Sequence, residues 1–372
     1  MQQSDSILDK VISSKQASII NEFNPKNVVD IILEPLTDRE REVIVLRHNL
    51  DLGGRKTLEK IGNNFNITRE RVRQIENSAL NKIKNLSDSQ NIIEPIEIIF
   101  NQTLEHFGGI MSEEMLLEEI LSLVGSTEEN KTYTSFMLSQ LLRDRFHYSQ
   151  ETEKFHPAWK QPSVSWENYE DILNLLIKII EDFNEPVDLN RILSHLQKNY
   201  ADHPQQSYFN EPTVISFLKI SKKVKPNPFD EWGIAGWDLI TLKRISDKVY
   251  LVLKKKDEPL HFTKIAQEID KLKFSNKQAN PATIHNELIL DDKYVLVGRG
   301  IYALKEWGYQ PGIVVEVIID ILKNATKPLT REEIIDQVLK KRFVKKSTII
   351  LSLMDKNKFI KNPDGTYSLK NV

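Results

Sequence analysis

Two patterns place this chain in the mainly α class. Residues Thr57 to Leu86 read as two short helices joined by a tight turn, and behind them a unit of helix, strand, two helices and hairpin recurs four times at a spacing of roughly seventy residues. The expected architecture is a helix-turn-helix followed by tandem winged-helix domains with small β-hairpin wings. Charge adds a third observation, because the net value of −2 hides strong segregation along the chain. Between Gly53 and Leu86 the cations Arg55, Lys56, Lys60, Arg69, Arg71, Arg73, Lys82 and Lys84 face only Glu59, Glu70 and Glu76.

Length and composition set the outer limits. At 372 residues the chain has room for two to four domains, and 40% hydrophobic with 28% charged residues is the balance of soluble globular proteins. The absence of cysteine excludes disulfides, thiol nucleophiles and cysteine-ligated metal sites, and fits a reducing cytoplasm. The N-terminal residues lack the basic and apolar pattern of a signal peptide, and no apolar run is long enough for a membrane span, so no membrane partner is expected.

Residues 1–34 are expected to form an N-terminal helical arm, with apolar positions such as Ile7, Val11, Ile19, Val28 and Ile32, broken near Asn24-Pro25. The helix-turn-helix segment is set at 35–90. Its first helix, capped by Thr57, would bury Leu58, Ile61 and Phe65, with Gly62 allowing another helix close approach. Asn66-Ile67-Thr68 breaks the pattern, Ile67 plugging the turn and Thr68 capping the second helix. At 100° per residue Val72, Ile75, Ala79, Ile83 and Leu86 share one stripe. The opposite side carries Glu70, Arg73, Gln74 and Asn77, flanked by Arg69 and Arg71. Such side chains can read base edges and grip phosphates, whereas a merely solvated helix needs no such set.

The runs Leu36-Thr37-Asp38-Arg39-Glu40-Arg41-Glu42-Val43-Ile44, Thr57-Leu58-Glu59-Lys60-Ile61-Gly62 and Thr68-Arg69-Glu70-Arg71-Val72-Arg73-Gln74-Ile75-Glu76 resemble region 4 of the primary bacterial sigma factors. The likeness covers residues 35–86 without a visible gap. It implies double-stranded DNA as one partner, read at the upstream promoter hexamer, and core RNA polymerase as another, through the flap of its β subunit. By the same resemblance Arg69, Glu70 and Gln74 contact bases, Arg73 holds a phosphate or base edge, and Thr57 and Leu58 approach the DNA backbone through their amides. Leu36 to Leu50 would then offer polymerase a docking face. A complete sigma factor also carries a large promoter-melting domain, which some thirty upstream residues cannot hold, so an accessory or regulatory role is expected.

The four repeats are set at 91–162, 163–242, 243–308 and 309–372. The first is acidic: between Ser87 and Asn130 there are Asp88, Glu94, Glu97, Glu105, Glu113, Glu114, Glu118, Glu119, Glu128 and Glu129 but no Lys or Arg, a surface that repels phosphate. After each first helix comes a short turn with an apolar residue, as at Glu185-Pro186-Val187-Asp188 and Lys327-Pro328-Leu329-Thr330. The clearest hairpins are Tyr294 to Leu304 and Phe359 to Leu369. The third repeat, from Pro259 to Trp307, resembles the winged-helix module of the RNA polymerase delta subunit and the related HARE-type domains. In the second, Trp232 and Trp237 read as packing residues.

The last repeat is basic, with Lys340-Lys341-Arg342 and Lys345-Lys346 ahead of its third helix, a pattern suited to a nucleic-acid backbone. Arg299, at the tip of the third hairpin, is placed to enter a minor groove. No phosphate-binding loop, metal motif or nucleophile elbow is present, and His261 and His285 read as packed or surface residues, so neither an enzyme nor a cofactor is expected. The expected protein is a cytoplasmic, nucleoid-associated, sequence-specific DNA-binding transcription factor of the sigma-accessory kind. Two alternatives are a DNA-binding repressor or specificity module of a defence or restriction system, and a winged-helix scaffold that binds other proteins.

Overall fold

The computed structural model describes residues 22–90, 92–143, 145–272, 278–309 and 312–370. The first twenty-one residues of the expected N-terminal arm thus lie outside the described residues. The chain divides into two compact units, residues 1–226 with 230–235, and residues 227–229 with 236–372.

The first unit begins with α1 (Pro25–Leu33), whose N-cap Asn24 accepts from the amides of Lys26 and Asn27. A capping box starts α2 (Asp38–His48): Thr37 Oγ1 accepts from the Glu40 amide while the Glu40 carboxylate accepts from the Thr37 amide. Asn49, at φ 64°, ends that helix in the left-handed conformation that asparagine tolerates. The pair α3 (Leu58–Phe65) and α4 (Arg69–Gln90) follows, capped by Thr57 and Thr68 through their hydroxyls. Val43, Leu46, Ile61, Val72 and Ile75 form one small core, against which Leu58, Phe65 and Ile67 are half-buried.

Four segments follow, and in each the residues after the first helix pair with the second strand of a hairpin. In the first repeat α5 (Glu94–His106) leads into β1 (Ile110–Ser112), α6 (Glu113–Val124), α7 (Glu128–Met137) with a π-helical turn at Leu138–Leu142, β2 (His147–Ser149) and β3 (Ala158–Lys160). The strand order is β1-β3-β2, antiparallel throughout. The second repeat comprises α8 (Trp166–Phe183), α9 (Leu189–Asn199), α10 (Glu211–Ile220), β4 (Val224–Pro226) and β5 (Trp232–Ile234), and its strand after the first helix shrinks to a single bridge from Val187 to Trp232. Trp232 is buried and Trp237 half-buried.

The second unit holds the other two repeats. The third is α11 (Ile245–Lys256), β6 (Leu260–His261), α12 (Phe262–Lys271), α13 (Pro281–Leu290), β7 (Tyr294–Gly298) and β8 (Ile301–Leu304), with strand order β6-β8-β7. The fourth is α14 (Val314–Asn324), α15 (Arg331–Lys341), α16 (Lys346–Leu353), β9 (Phe359–Lys361) and β10 (Tyr367–Leu369), with Leu329 bridging Tyr367. Separate cores fill the third and fourth repeats.

The third helices of the repeats differ in exposure. In the first unit they are used for packing: Phe136 and Met137 of α7 join a core that runs from Val29 and Ile32 of α1 through Ile44 and Leu50 to Phe100 and Trp159. On α10, Thr213, Val214, Ser216 and Phe217 are buried, and Ser216 donates to the Ile110 carbonyl of the first repeat. By contrast α13 and α16 carry exposed apolar residues, Ile289 and Leu290 on the former and Leu351 on the latter, with Met354 just beyond its end. Among the described residues no helix is long and apolar enough to cross a membrane.

Candidate nucleic-acid interface

Burial along α4 follows its 3.6-residue period. Val72, Ile75, Ala79 and Ile83 are buried, and Leu86 at the end of the stripe is half-buried. Arg69, Glu70, Arg71, Arg73, Gln74 and Asn77 are all exposed on the remaining surface. Thr57 is exposed and Leu58 half-buried at the start of α3, so the amides of that helix end stand beside the row. The structure therefore gathers the helix-turn-helix residues expected to meet DNA on one module. Arg299, Lys345 and Lys346 lie in the second unit and are likewise exposed.

The turn between α3 and α4 is held at Gly62, and the reason differs from the expected helix contact. A Cβ on Gly62 would sit 2.7 Å from the Ile67 carbonyl oxygen, so the turn's own backbone is what approaches. The Ile67 amide in turn donates to the Gly62 carbonyl at 2.9 Å. Ile67 is accordingly half-buried rather than a fully enclosed plug.

On the exposed face the side chains are paired with one another. Arg73 makes a two-pronged contact with Glu70, Nε to Oε2 at 2.9 Å and Nη2 to Oε1 at 2.6 Å. Hydrogen bonding to Arg73 holds the Glu70 carboxyl below its usual range, and the same contact raises the Arg73 pKa. Arg71 Nη1 donates to Gln74 Oε1 at 3.1 Å, and Arg69 Nη1 lies 3.2 Å from Glu59 Oε1. Exposed ion pairs contribute little to stability. Such pairs can be broken at small cost.

Behind the row, the carboxylate of Glu40 is buried. It accepts from Lys82 Nζ at 2.8 and 2.9 Å and from the Thr37 hydroxyl at 2.9 Å, tying α2 to the middle of α4. The hydrogen bond from Lys82, chiefly, holds the Glu40 carboxyl below its ordinary value. Glu76, between Arg47 at 3.4 Å and His48 at 3.5 Å, is lowered mainly by His48.

One expectation changes on the opposite side of the module. The sequence suggests a docking face at Leu36 to Leu50, but Leu36, Val43, Ile44, Leu46 and Leu50 are all buried within the chain. Val43 and Leu46 serve the helix-turn-helix core, while Leu36, Ile44 and Leu50 join the core shared with α1 and α7. Tyr133 of α7 donates through its hydroxyl to the Leu50 carbonyl at 3.2 Å, and Phe136 packs edge-on against the His48 ring with centroids 5.0 Å apart. The exposed residues of α2 are the polar Asp38, Arg39 and Glu42. Sequence reasoning also misses Lys131, which α7 brings to a cleft of about 420 Å³ beside His48, Asn49 and Arg55. No sequence signal points there, because the two sides of that cleft are far apart in the chain.

Comparison with known proteins agrees with this geometry over one segment. Residues 32–85 match the family described as "Sigma-70, region 4". The RNA polymerase sigma factor SigA of Listeria monocytogenes is 44% identical over 72 residues, 19% of this chain and 19% of that protein. SigA of Listeria innocua gives the same figures. The chain thus spans about a fifth of the length of the curated relatives it matches, 19% in each case. Residues 32–85, with their buried stripe, Gly62 turn and exposed polar row, are a sigma-70 region 4 domain.

Proposed function

We propose that the chain is a sequence-specific DNA-binding transcription factor that reads a promoter-like element with α4 and acts as an accessory or regulator of RNA polymerase. The observation that carries this reading is the exposed row Arg69, Glu70, Arg73, Gln74 and Asn77 on a helix whose opposite stripe is buried. Arginine suits guanine, glutamine adenine, and glutamate the cytosine amino group. The work is binding rather than catalysis, and needs no cofactor. The four repeats serve as winged helices. Those of the first unit brace the reading head, and those of the second extend the chain's contacts in the nucleoid.

A second reading is a DNA-binding repressor or specificity module that never meets polymerase. One observation favours it: the apolar residues of Leu36 to Leu50 are covered by the chain itself. A polymerase contact at α2 would have to use Asp38, Arg39 and Glu42. Both readings are tested by selecting bound sequences from random duplex DNA and, in parallel, by pull-down of core polymerase with the full chain. Enrichment of a promoter-like hexamer together with polymerase capture supports the first reading, and a different motif without polymerase supports the second. On the selected site Gln74→Ala or Glu70→Ala is expected to cost about 1–3 kcal/mol and to relax the preference at one base pair. Equal losses on random DNA would remove both readings.

A further inference from the structure

We propose that the third and fourth repeats together form a second nucleic-acid site, which grips the phosphate backbone without reading sequence and is independent of α4. Its residues are Arg299 on the β7–β8 hairpin and Lys340, Lys345 and Lys346 around the α15–α16 connection. The fold joins these two segments. Arg342, buried although it lies in the basic run, donates through Nη1 to the Leu296 carbonyl of β7 at 2.6 Å. The Phe343 carbonyl oxygen lies 3.5 Å from where a Gly298 Cβ would be. Arg342 is thus a structural clamp and no part of the binding surface expected of Lys340-Lys341-Arg342. Arg299 is one residue from Gly298, and Lys345 two from Phe343. At 3.8 Å per Cα step, the hairpin tip and the lysines therefore fall within roughly 20 Å, a span that covers several phosphates along a duplex.

Two observations separate this surface from an ordinary solvated face. In the adjoining α11 and α12 of the same unit the lysines are paired, with Lys256, Lys264 and Lys271 converging on Glu268. Among the described residues, Arg299, Lys340, Lys345 and Lys346 have no acidic partner, and all four are exposed. Lys345 and Lys346 also stand at the N-terminal end of α16, where the helix dipole disfavours cations, so helix stability does not account for them. Departures from a local rule are expected where function or strain overrides it.

The exposed face of α16 decides how such a site would bind. Leu351 and Met354 are 68% and 66% exposed there, and neither can read a base edge by hydrogen bonding. The third helices of the first two repeats bury one face in the core of the first unit, and α13 has no Lys or Arg. The cations at Arg299, Lys340, Lys345 and Lys346 suit phosphates, and on α16 the exposed apolar side chains leave little room for base readout.

The test uses the full chain and fluorescence anisotropy on unrelated duplexes and on single-stranded DNA over a range of salt. In Arg299→Ala/Lys345→Ala/Lys346→Ala, affinity should fall alike on all duplexes. The slope of log affinity against log salt should shrink by about 0.9 for each phosphate that is no longer neutralised. Gln74→Ala should leave that slope unchanged while losing the selected site. A triple variant with unchanged affinity and slope overturns the second site without touching the α4 reading. Loss on the selected site alone overturns it too, since the surface would then act only through α4. A larger loss on single strands than on duplexes identifies an unpaired strand as the backbone it holds.

Discussion

Glu268 shows how a single side chain can organise its surroundings. Its carboxylate, 10% exposed, takes Lys271 at 2.7 Å, Lys256 at 3.0 Å and Lys264 at 3.3 Å. Hydrogen bonds from Lys271 and Lys256 lower its pKa from 4.5 to about 2. In the unfolded chain the group takes a proton near 4.5, whereas in the fold it resists until about 2. The stabilisation is therefore complete above pH 4.5 and is lost as pH falls towards 2. Glu268→Gln should lower the melting temperature of the second unit at pH 7, because three cations are then left facing one another. The gap from the unmodified chain should close between pH 4.5 and 2; parallel melting curves across that range would show that the cluster does not set acid stability. At this scale the sequence is only partly legible. The exposed row on α4 follows from its period, but the Arg73–Glu70 and Arg71–Gln74 contacts depend on rotamers that spacing does not specify.

Among the elements, the α3–turn–α4 pair is the most fully encoded locally. Thr57 and Thr68 cap its helices, Asn66 closes α3 at φ 53°, and the apolar period sets both faces. Its tightest point is Gly62, where a side chain would press the Ile67 carbonyl at 2.7 Å. Gly62→Ala should cost about 1–3 kcal/mol of stability, the range for overpacking a closed contact, and should weaken binding to the selected site by tilting α4. Unchanged melting and binding would mean that the turn relaxes freely. Strand lengths are less legible. The segments at Val187 and Leu329 keep only single bridges, while Ile110–Ser112 and Leu260–His261, at similar distances from their hairpins, form short ladders, and the sequence does not distinguish the two cases. Gly298-Arg299-Gly300 is readable as a turn because Gly300 takes φ 68°, a conformation glycine adopts without strain.

Across the first unit, the consequential contact is the one between the region 4 domain and the first repeat. Ile44, Leu50, Ala79 and Ile83 from the former share one core with Ile96, Phe100, Phe136 and Met137 from the latter. Lys26 on α1 and Glu129 on α7 close its rim at 3.0 Å. Apolar periodicity shows that each helix has a face to bury but does not name the partner, so α2's apolar side chains can be read as a surface for another protein. A shared core makes unfolding cooperative, because exposing one side strips apolar neighbours from the other. Phe136, 2% exposed on α7, is the side chain to remove. Phe136→Ala should destabilise the first unit by about 3–5 kcal/mol. Amide hydrogen exchange should then rise together at Val43 and Leu46 of α2 and at Ile99 and Phe100 of α5, although the substitution lies outside the region 4 domain. If the α5 amides lose protection while those of α2 keep theirs, the two modules are merely adjacent and α2 can open to a partner without disturbing the repeat. If both lose it equally, the region 4 domain and its first repeat are one folding unit, and any partner reaching the apolar side of α2 must displace α7.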